Sequence, residues 1–182
     1  MDRFFKIALF ILAVTQSNFI SANSMVLYDS LVPFDKNQKT STFSQLISPQ
    51  PTQVKRTEKT YTLLQFWASW CHSCAGFMYD LDKISAATQS PYYAISIDDK
   101  FIDAENYLTK HPLYKKHRNR FWFDQQSKLK QSLAITTVPT VVIIDHQGKP
   151  IWRTSGHLNS DDLFKLKQLL ANNNLGQLTI GD

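Results

Sequence analysis

Cysteine is almost missing from this chain: 182 residues contain two, Cys71 and Cys74, with two residues between them. A secreted scaffold stapled by disulfides needs several widely spaced bridges, so that class is excluded. A bridge across so small a loop restrains the unfolded chain little, which leaves chemistry or a metal as the reason for the pair. Long apolar runs are also missing, since the stretch Phe4 to Val14 falls short of the roughly 20 residues of a spanning helix. No internal repeat and no long low-complexity tract interrupts the chain. Nor is there a large excess of one charge. Twenty Lys and Arg against 15 Asp and Glu give +5, too little to argue for nucleic acid. The densest basic cluster, Lys115, Lys116, His117, Arg118 and Arg120, comes without an RNA- or DNA-binding motif and reads as a solvated face or loop. Lys165 and Lys167 read the same way.

What is present begins at the N-terminus. Arg3 and Lys6 precede and enter the apolar stretch, polar residues follow, and small residues appear at Ser21-Ala22-Asn23-Ser24. This is the order of a secretory signal. Residues 1–22 are expected to be a signal peptide cut near Ala22, with an uncleaved anchor as the alternative. Residues 23–59 read as an irregular lead-in, rich in Ser, Thr and Gln and broken by Pro33, Pro49 and Pro51. Within it Phe43, Leu46 and Ile47 allow one helical turn.

Residues 60–172 read as one domain, and 173–182 as a tail. Thr60 to Ala68 is an apolar, β-branched and aromatic run suited to a strand buried on both faces. Ala75 to Thr88 carries Phe77, Leu81, Ile84 and Ala87 at helical spacing. Tyr92 to Ile97 predicts a strand, Ile102 to Lys110 a helix, Arg120 to Phe123 a strand, and Ser127 to Ala134 a helix with Leu129 and Leu133 inward. Thr140 to Ile144 and Pro150 to Thr154 predict a hairpin around Asp145-His146-Gln147-Gly148. A last helix, capped by Asn159 or Ser160, runs through Leu170 with Leu163, Phe164, Leu166, Leu169 and Leu170 as its apolar stripe. Strands alternating with helices give an α/β fold whose central mixed sheet is covered on both faces.

A strand feeding a helix puts the loop between them at the C-terminal edge of the sheet, where active groups collect in open α/β folds. Cys71 is expected at the start of that helix, where free N–H groups and the helix dipole favour a thiolate. A thiol of pKa about 8.5 can fall to roughly 3.5–7.5 in such a setting. Cys71 is then the outer nucleophile, and Cys74, one turn further in and more buried, resolves the mixed disulfide. His72 either tunes the thiolate or is an exposed spacer; its place at a helix start favours tuning. The same cysteine spacing also serves zinc, but the nearest further ligands, His111 and His117, fall in an expected loop. The reading is therefore no metal and no cofactor. Trp67 reads as core, and Trp122 and Trp152 as packing residues.

The segment Phe66-Trp67-Ala68-Ser69-Trp70-Cys71-His72-Ser73-Cys74 resembles the active-site segment of thioredoxin-like proteins, and among them the extracytoplasmic TlpA-like or ResA-like branch. Val138-Pro139-Thr140, followed by Val141 to Asp145 and Gly148-Lys149, is similar to that family's second signature. The extra strand and helix between Ile97 and Val138 resemble the same branch. The likeness covers about Thr60 to Leu170. It implies a thioredoxin fold, a redox disulfide Cys71–Cys74, an apolar rim at Trp70, and a cis peptide bond before Pro139 that sets the Val138 backbone beside the cysteines for an extended substrate. It also implies a periplasmic, monomeric thiol–disulfide oxidoreductase that reduces or isomerises disulfides of exported cysteine-containing proteins and is recharged by a membrane redox donor. A disulfide-donating oxidase and a non-catalytic peptide-binding module are the alternatives. Two departures stand out. The acid that plain thioredoxins place before the pair is Gln65 here, and the Glu that the ResA-like branch places three residues after it is Phe77. Tyr79 replaces a helix proline. The proton of Cys74 must go to water, to a more distant carboxylate such as Asp80, or to the leaving thiolate.

Overall fold

The computed structural model describes residues 27–38, 43–47 and 61–172. The expected signal segment, most of the lead-in beyond Gln38 and the C-terminal tail lie outside these residues. Strands are β1 (Leu31–Pro33), β2 (Thr62–Trp67), β3 (Tyr92–Ser96), β4 (Phe121–Asp124), β5 (Thr140–Ile144) and β6 (Pro150–Ser155). Helices are α1 (Phe43–Ile47), α2 (Cys74–Thr88), α3 (Phe101–Leu108), α4 (Pro112–Lys116), α5 (Lys128–Ser132) and α6 (Ser160–Ala171). The strands form one sheet in the order β1-β4-β3-β2-β5-β6. β2, β3 and β4 run parallel, while β5 is antiparallel to β2, β6 to β5 and β1 to β4.

Alternation along the central strands builds two cores. Leu63 and Trp67 of β2, with Val141 and Ile143 of β5, face α2, α3, α4 and α6 through Phe77, Leu81, Leu108, Leu113 and Leu166. Leu64 and Phe66, with Val142 and Ile144, face α1 and α5 through Phe43, Ile47 and Leu129. Side chains of successive strand residues point to opposite faces. A strand covered on both faces must therefore be largely apolar, as β2 and β5 are apart from Thr62, Gln65 and Thr140.

Several expectations need correction. The lead-in is not irregular throughout. Leu31–Pro33 pairs with β4 at the sheet edge, where a proline costs no ladder bond, and the Tyr28 hydroxyl donates to the Gly148 carbonyl at 2.8 Å. Phe34 stacks on Phe101 at 4.6 Å between ring centroids. The basic run is a solvated face, as expected, with Lys115, Lys116 and Arg118 exposed, but it lies on and just after a short helix and not in a loop. Pro112 opens α4 at a position where its missing N–H is harmless, and α4 buries Leu113 and Tyr114. Arg120 and His117 both pair with Asp82 of α2. On α6, Leu166 and Leu170 are buried one turn apart, whereas Phe164 lies off that stripe and is exposed. The cap of α6 is Asn159, whose side chain accepts from the Asp162 N–H at 2.9 Å.

His111 packs against the rings of Tyr79 and Tyr107, and burial holds its imidazole below the ordinary value. A base depressed in the fold contributes stability fully above its unfolded value of about 6.5, and loses it as pH falls below that. His117 is lowered in the same direction, chiefly by burial. The urea midpoint should therefore fall between about pH 8 and about pH 5, and His111→Gln should shrink that fall without abolishing it. An unchanged fall in the variant would show that His111 does not contribute.

Candidate active site

Strand β2 ends at Trp67, and the chain reaches α2 through Ala68, Ser69, Trp70, Cys71, His72 and Ser73. The helix starts at Cys74 rather than before Cys71, so Cys71 occupies the turn ahead of the first helical residue and not the helix start expected from sequence. Its N–H donates to the Ala68 carbonyl at 3.0 Å, and its carbonyl accepts from the Cys74 N–H at 3.2 Å. Cys71 and Cys74 are joined as a disulfide. Cys74 is the deeper of the two, 1% exposed against 6% for Cys71. Trp70 is 64% exposed, and His72 and Ser73 also face solvent. The Ser73 hydroxyl lies 3.7 Å from the Cys71 sulfur, a neighbour that sequence reading missed.

A second missed residue holds this loop. Asp98, just past the end of β3, is buried. Its two carboxylate oxygens each accept from the Ser69 N–H at 3.0 Å, and they accept from the hydroxyls of Ser69 at 2.6 Å and Ser96 at 2.7 Å. Parallel pairing of β2 with β3 brings the two strand ends together, so a carboxylate from one clamps the loop leaving the other. Bonds to a charged acceptor are the stronger kind.

Beneath the pair lies Gln65, fully buried on β2. Its amide nitrogen donates to the Cys74 carbonyl at 3.3 Å, and its oxygen accepts from the Tyr92 hydroxyl at 2.6 Å. Burial pushes the Tyr92 phenol far up, so this hydroxyl remains a donor. The Gln65 amide thus braces the first helical turn and cannot serve as an acid. The first turn of α2 contains no acidic residue either. Asp80 is half-buried and lies 3.9 Å from Lys83.

The wall opposite comes from the loop before β5. The Val138–Pro139 bond is cis, and Val138 packs against both cores, including the cluster that contains Cys71 and Cys74. The Thr140 hydroxyl donates to the Thr137 carbonyl at 2.7 Å, and the Gly156 N–H donates to the Pro139 carbonyl at 2.8 Å. Gly156 has φ of +89° with open space where a Cβ would project. Its cost on substitution is therefore backbone strain alone. Gly156→Ala should lose about 1–2 kcal/mol. Gly76, in α2 with equally open space and no positive φ, should gain about 0.5–1 kcal/mol as Gly76→Ala. Thermal unfolding of the two variants checks both signs.

Of the histidines weighed as zinc ligands, His111 packs against the rings of Tyr79 and Tyr107, and His117 lies 3.6 Å from Asp82. Among the described residues no group of three His, Cys, Asp or Glu could hold a metal, and no helix is long and apolar enough to cross a membrane. What the arrangement offers is a vicinal cysteine pair able to pass between disulfide and dithiol, moving two electrons.

Residues 48–171 match the thioredoxin-like domain family. Over 102 residues the chain is 28% identical to a thiol:disulfide interchange protein DsbE homolog of Paracoccus denitrificans, covering 55% of this chain and 53% of that one. The chain thus spans about half the length of that curated relative. Among solved structures, a DsbE-type thiol:disulfide interchange protein of Chlorobium tepidum superposes with a TM-score of 0.52 at 24% identity, over 64% of this chain and 82% of the other. The thioredoxin domain of a thiol-disulfide oxidoreductase of Bacteroides vulgatus gives 0.51 at 21% identity, over 63% and 81%. At such identities these two likenesses speak for the fold. The chain belongs to the thioredoxin-like domain family, with its cysteine pair closed as a disulfide and its relatives among thiol–disulfide oxidoreductases.

Proposed function

We propose that the protein is an exported thiol–disulfide oxidoreductase that reduces or isomerises disulfides in extracytoplasmic, cysteine-containing proteins. One observation carries the reading: the Cys71–Cys74 disulfide lies at the C-terminal end of a buried central strand, beside an exposed tryptophan. In the reduced protein the Cys71 thiolate attacks a substrate sulfur and expels one substrate thiolate. Cys74 then attacks Cys71, releases the second thiolate and closes the disulfide. The less buried of the two sulfurs takes the outer role. The dipole of α2, whose N-terminus follows Cys71 by three residues, and the Ser73 hydroxyl favour the anion. Trp70 supplies an apolar rim, His72 adds to the favourable field when protonated, and the Val138 backbone pairs with an extended substrate alongside Pro139. A membrane redox donor returns the electrons. The basic start, short apolar stretch and small residues at 21–24 support export to the periplasm.

The reduction potential of the pair in a glutathione redox series tests the direction of flow. A value below about −230 mV supports reduction, whereas one near −120 mV, that of strong oxidants, overturns it in favour of disulfide donation.

A further inference from the structure

Resolution requires Cys74 to lose its proton, because the thiolate is the nucleophile. In the disulfide form Cys74 is 1% exposed, so once reduced its thiol must pass the proton to a group or a water molecule at the edge of the core. The groups around it do not take that proton readily. Gln65 is an amide with both ends hydrogen-bonded. Asp98 is committed to Ser69 and Ser96. Asp80, six positions along α2 from Cys74, lies about 120° around the helix from it at roughly 100° per residue.

One titratable side chain reaches this side of α2 from elsewhere. Phe77 is three positions after Cys74, about 60° around the helix, and belongs to the same buried cluster as Cys71 and Cys74. The imidazole of His157 packs on the Phe77 ring with 5.3 Å between centroids and is open to solvent. Its position is fixed from both sides. Gly156 before it is tied to the Pro139 carbonyl, and Leu158 after it is buried in the cluster with the cysteines.

We propose that His157 is the proton acceptor for Cys74, acting through water across the edge of Phe77. This deepens the oxidoreductase reading and rests on it. Neutral His157 takes the Cys74 proton. The Cys74 thiolate attacks the Cys71 sulfur of the mixed disulfide, the Cys71–substrate bond breaks, and the substrate thiolate that leaves with the electron pair is protonated by the imidazolium. Imidazole is the side chain whose ordinary titration falls between about pH 5 and 8, which suits a group that must both take and return a proton. The other titratable groups on the surrounding elements are Cys71 and His72 from the pair and its loop, Tyr79, Asp80, Asp82 and Lys83 of α2, Arg153 of β6, and Asp161, Asp162, Lys165 and Lys167 of α6; the loop before β5 has none.

The aromatic disulfide 5,5′-dithiobis(2-nitrobenzoate) separates the two steps in stopped flow. Attack by Cys71 releases one coloured thiolate, and resolution by Cys74 releases the second. His157→Gln should leave the first phase within about twofold, slow the second about 10²-fold, and remove its pH dependence between about pH 5 and 8. Added imidazole should restore the second phase of His157→Ala. A second phase of normal rate and pH profile in His157→Gln overturns the proposal, as does equal slowing of both phases, which would mean a displaced site. Wild-type protein that releases no second thiolate defeats the oxidoreductase reading itself, a result distinct from either.

Discussion

Cys71→Ser abolishes reduction of a protein disulfide such as insulin by dithiothreitol, whereas Cys74→Ser retains the first attack and accumulates a mixed disulfide on Cys71. The difference in burial drives this asymmetry. Cys74 sits beneath the loop with its carbonyl held by Gln65, so it meets substrate only through Cys71. Cys71 lies beside the exposed Trp70, and a serine there keeps the shape but is no nucleophile toward disulfides at neutral pH. Turnover followed by turbidity, with mass spectrometry of the trapped adduct, reads both results. Turnover kept by Cys71→Ser would show that exchange occurs elsewhere; an adduct on Cys74 in the Cys71→Ser protein would reverse the roles.

The second large effect belongs to Asp98. Asp98→Ala leaves the Ser69 N–H and the hydroxyls of Ser69 and Ser96 without their acceptor. Each buried group left unpaired costs about 1–3 kcal/mol, and water entering the space recovers part of it, so a loss of about 3 kcal/mol is expected. For a chain of this size that corresponds to a fall in Tm of about 6–12 °C. Asp98→Asn keeps one oxygen acceptor but turns an amide donor toward donors, and should fall between the two. The reaction should suffer too, since Ser69 is two residues from Cys71 and the loop then loses its anchor. Calorimetry together with the rate of Cys71 alkylation in the reduced protein separates lost stability from lost alignment. A variant with unchanged Tm and unchanged alkylation would remove Asp98 from the account.

The elements that place the cysteines were legible because their signals are local. Strand β2 is an apolar run broken only by Gln65, β5 is a run of β-branched residues, and α2 repeats its apolar positions at helical spacing. Each needs no knowledge of the rest of the chain. Strand β1 was missed because three residues with a proline carry no period; its reason for existing is the free edge of β4, about 90 residues away. Helix α4 was hidden among five basic residues, although Pro112 followed by Leu113 and Tyr114 was the available clue. Phe164 was assigned inward because the stripe was read one residue too wide.

The candidate site divides in the same way. The cysteine pair and the Val138-Pro139 segment announce themselves in short motifs. Asp98 does not, because an acid at the end of a strand is ordinary turn chemistry until pairing sets it against a serine 29 residues earlier. Ser73 was given no role, though its place two residues after Cys71 could have marked it. His157 follows a glycine in a stretch without periodicity, and only the closing of β6 against the loop before β5 carries it to Phe77. Conversely, the substitutions Gln65 and Phe77 were visible in the sequence as missing acids. Only the structure shows that the amide is fully engaged as a brace.

A single-turnover experiment tests the exchange most directly. Reduced protein is mixed with an equal amount of a protein substrate bearing one disulfide, quenched with acid, and mapped by mass spectrometry. Each substrate disulfide opened should be matched by one Cys71–Cys74 bridge, with a transient adduct on Cys71 alone. Substrate left intact, or opened while both protein thiols stay free, would contradict the account.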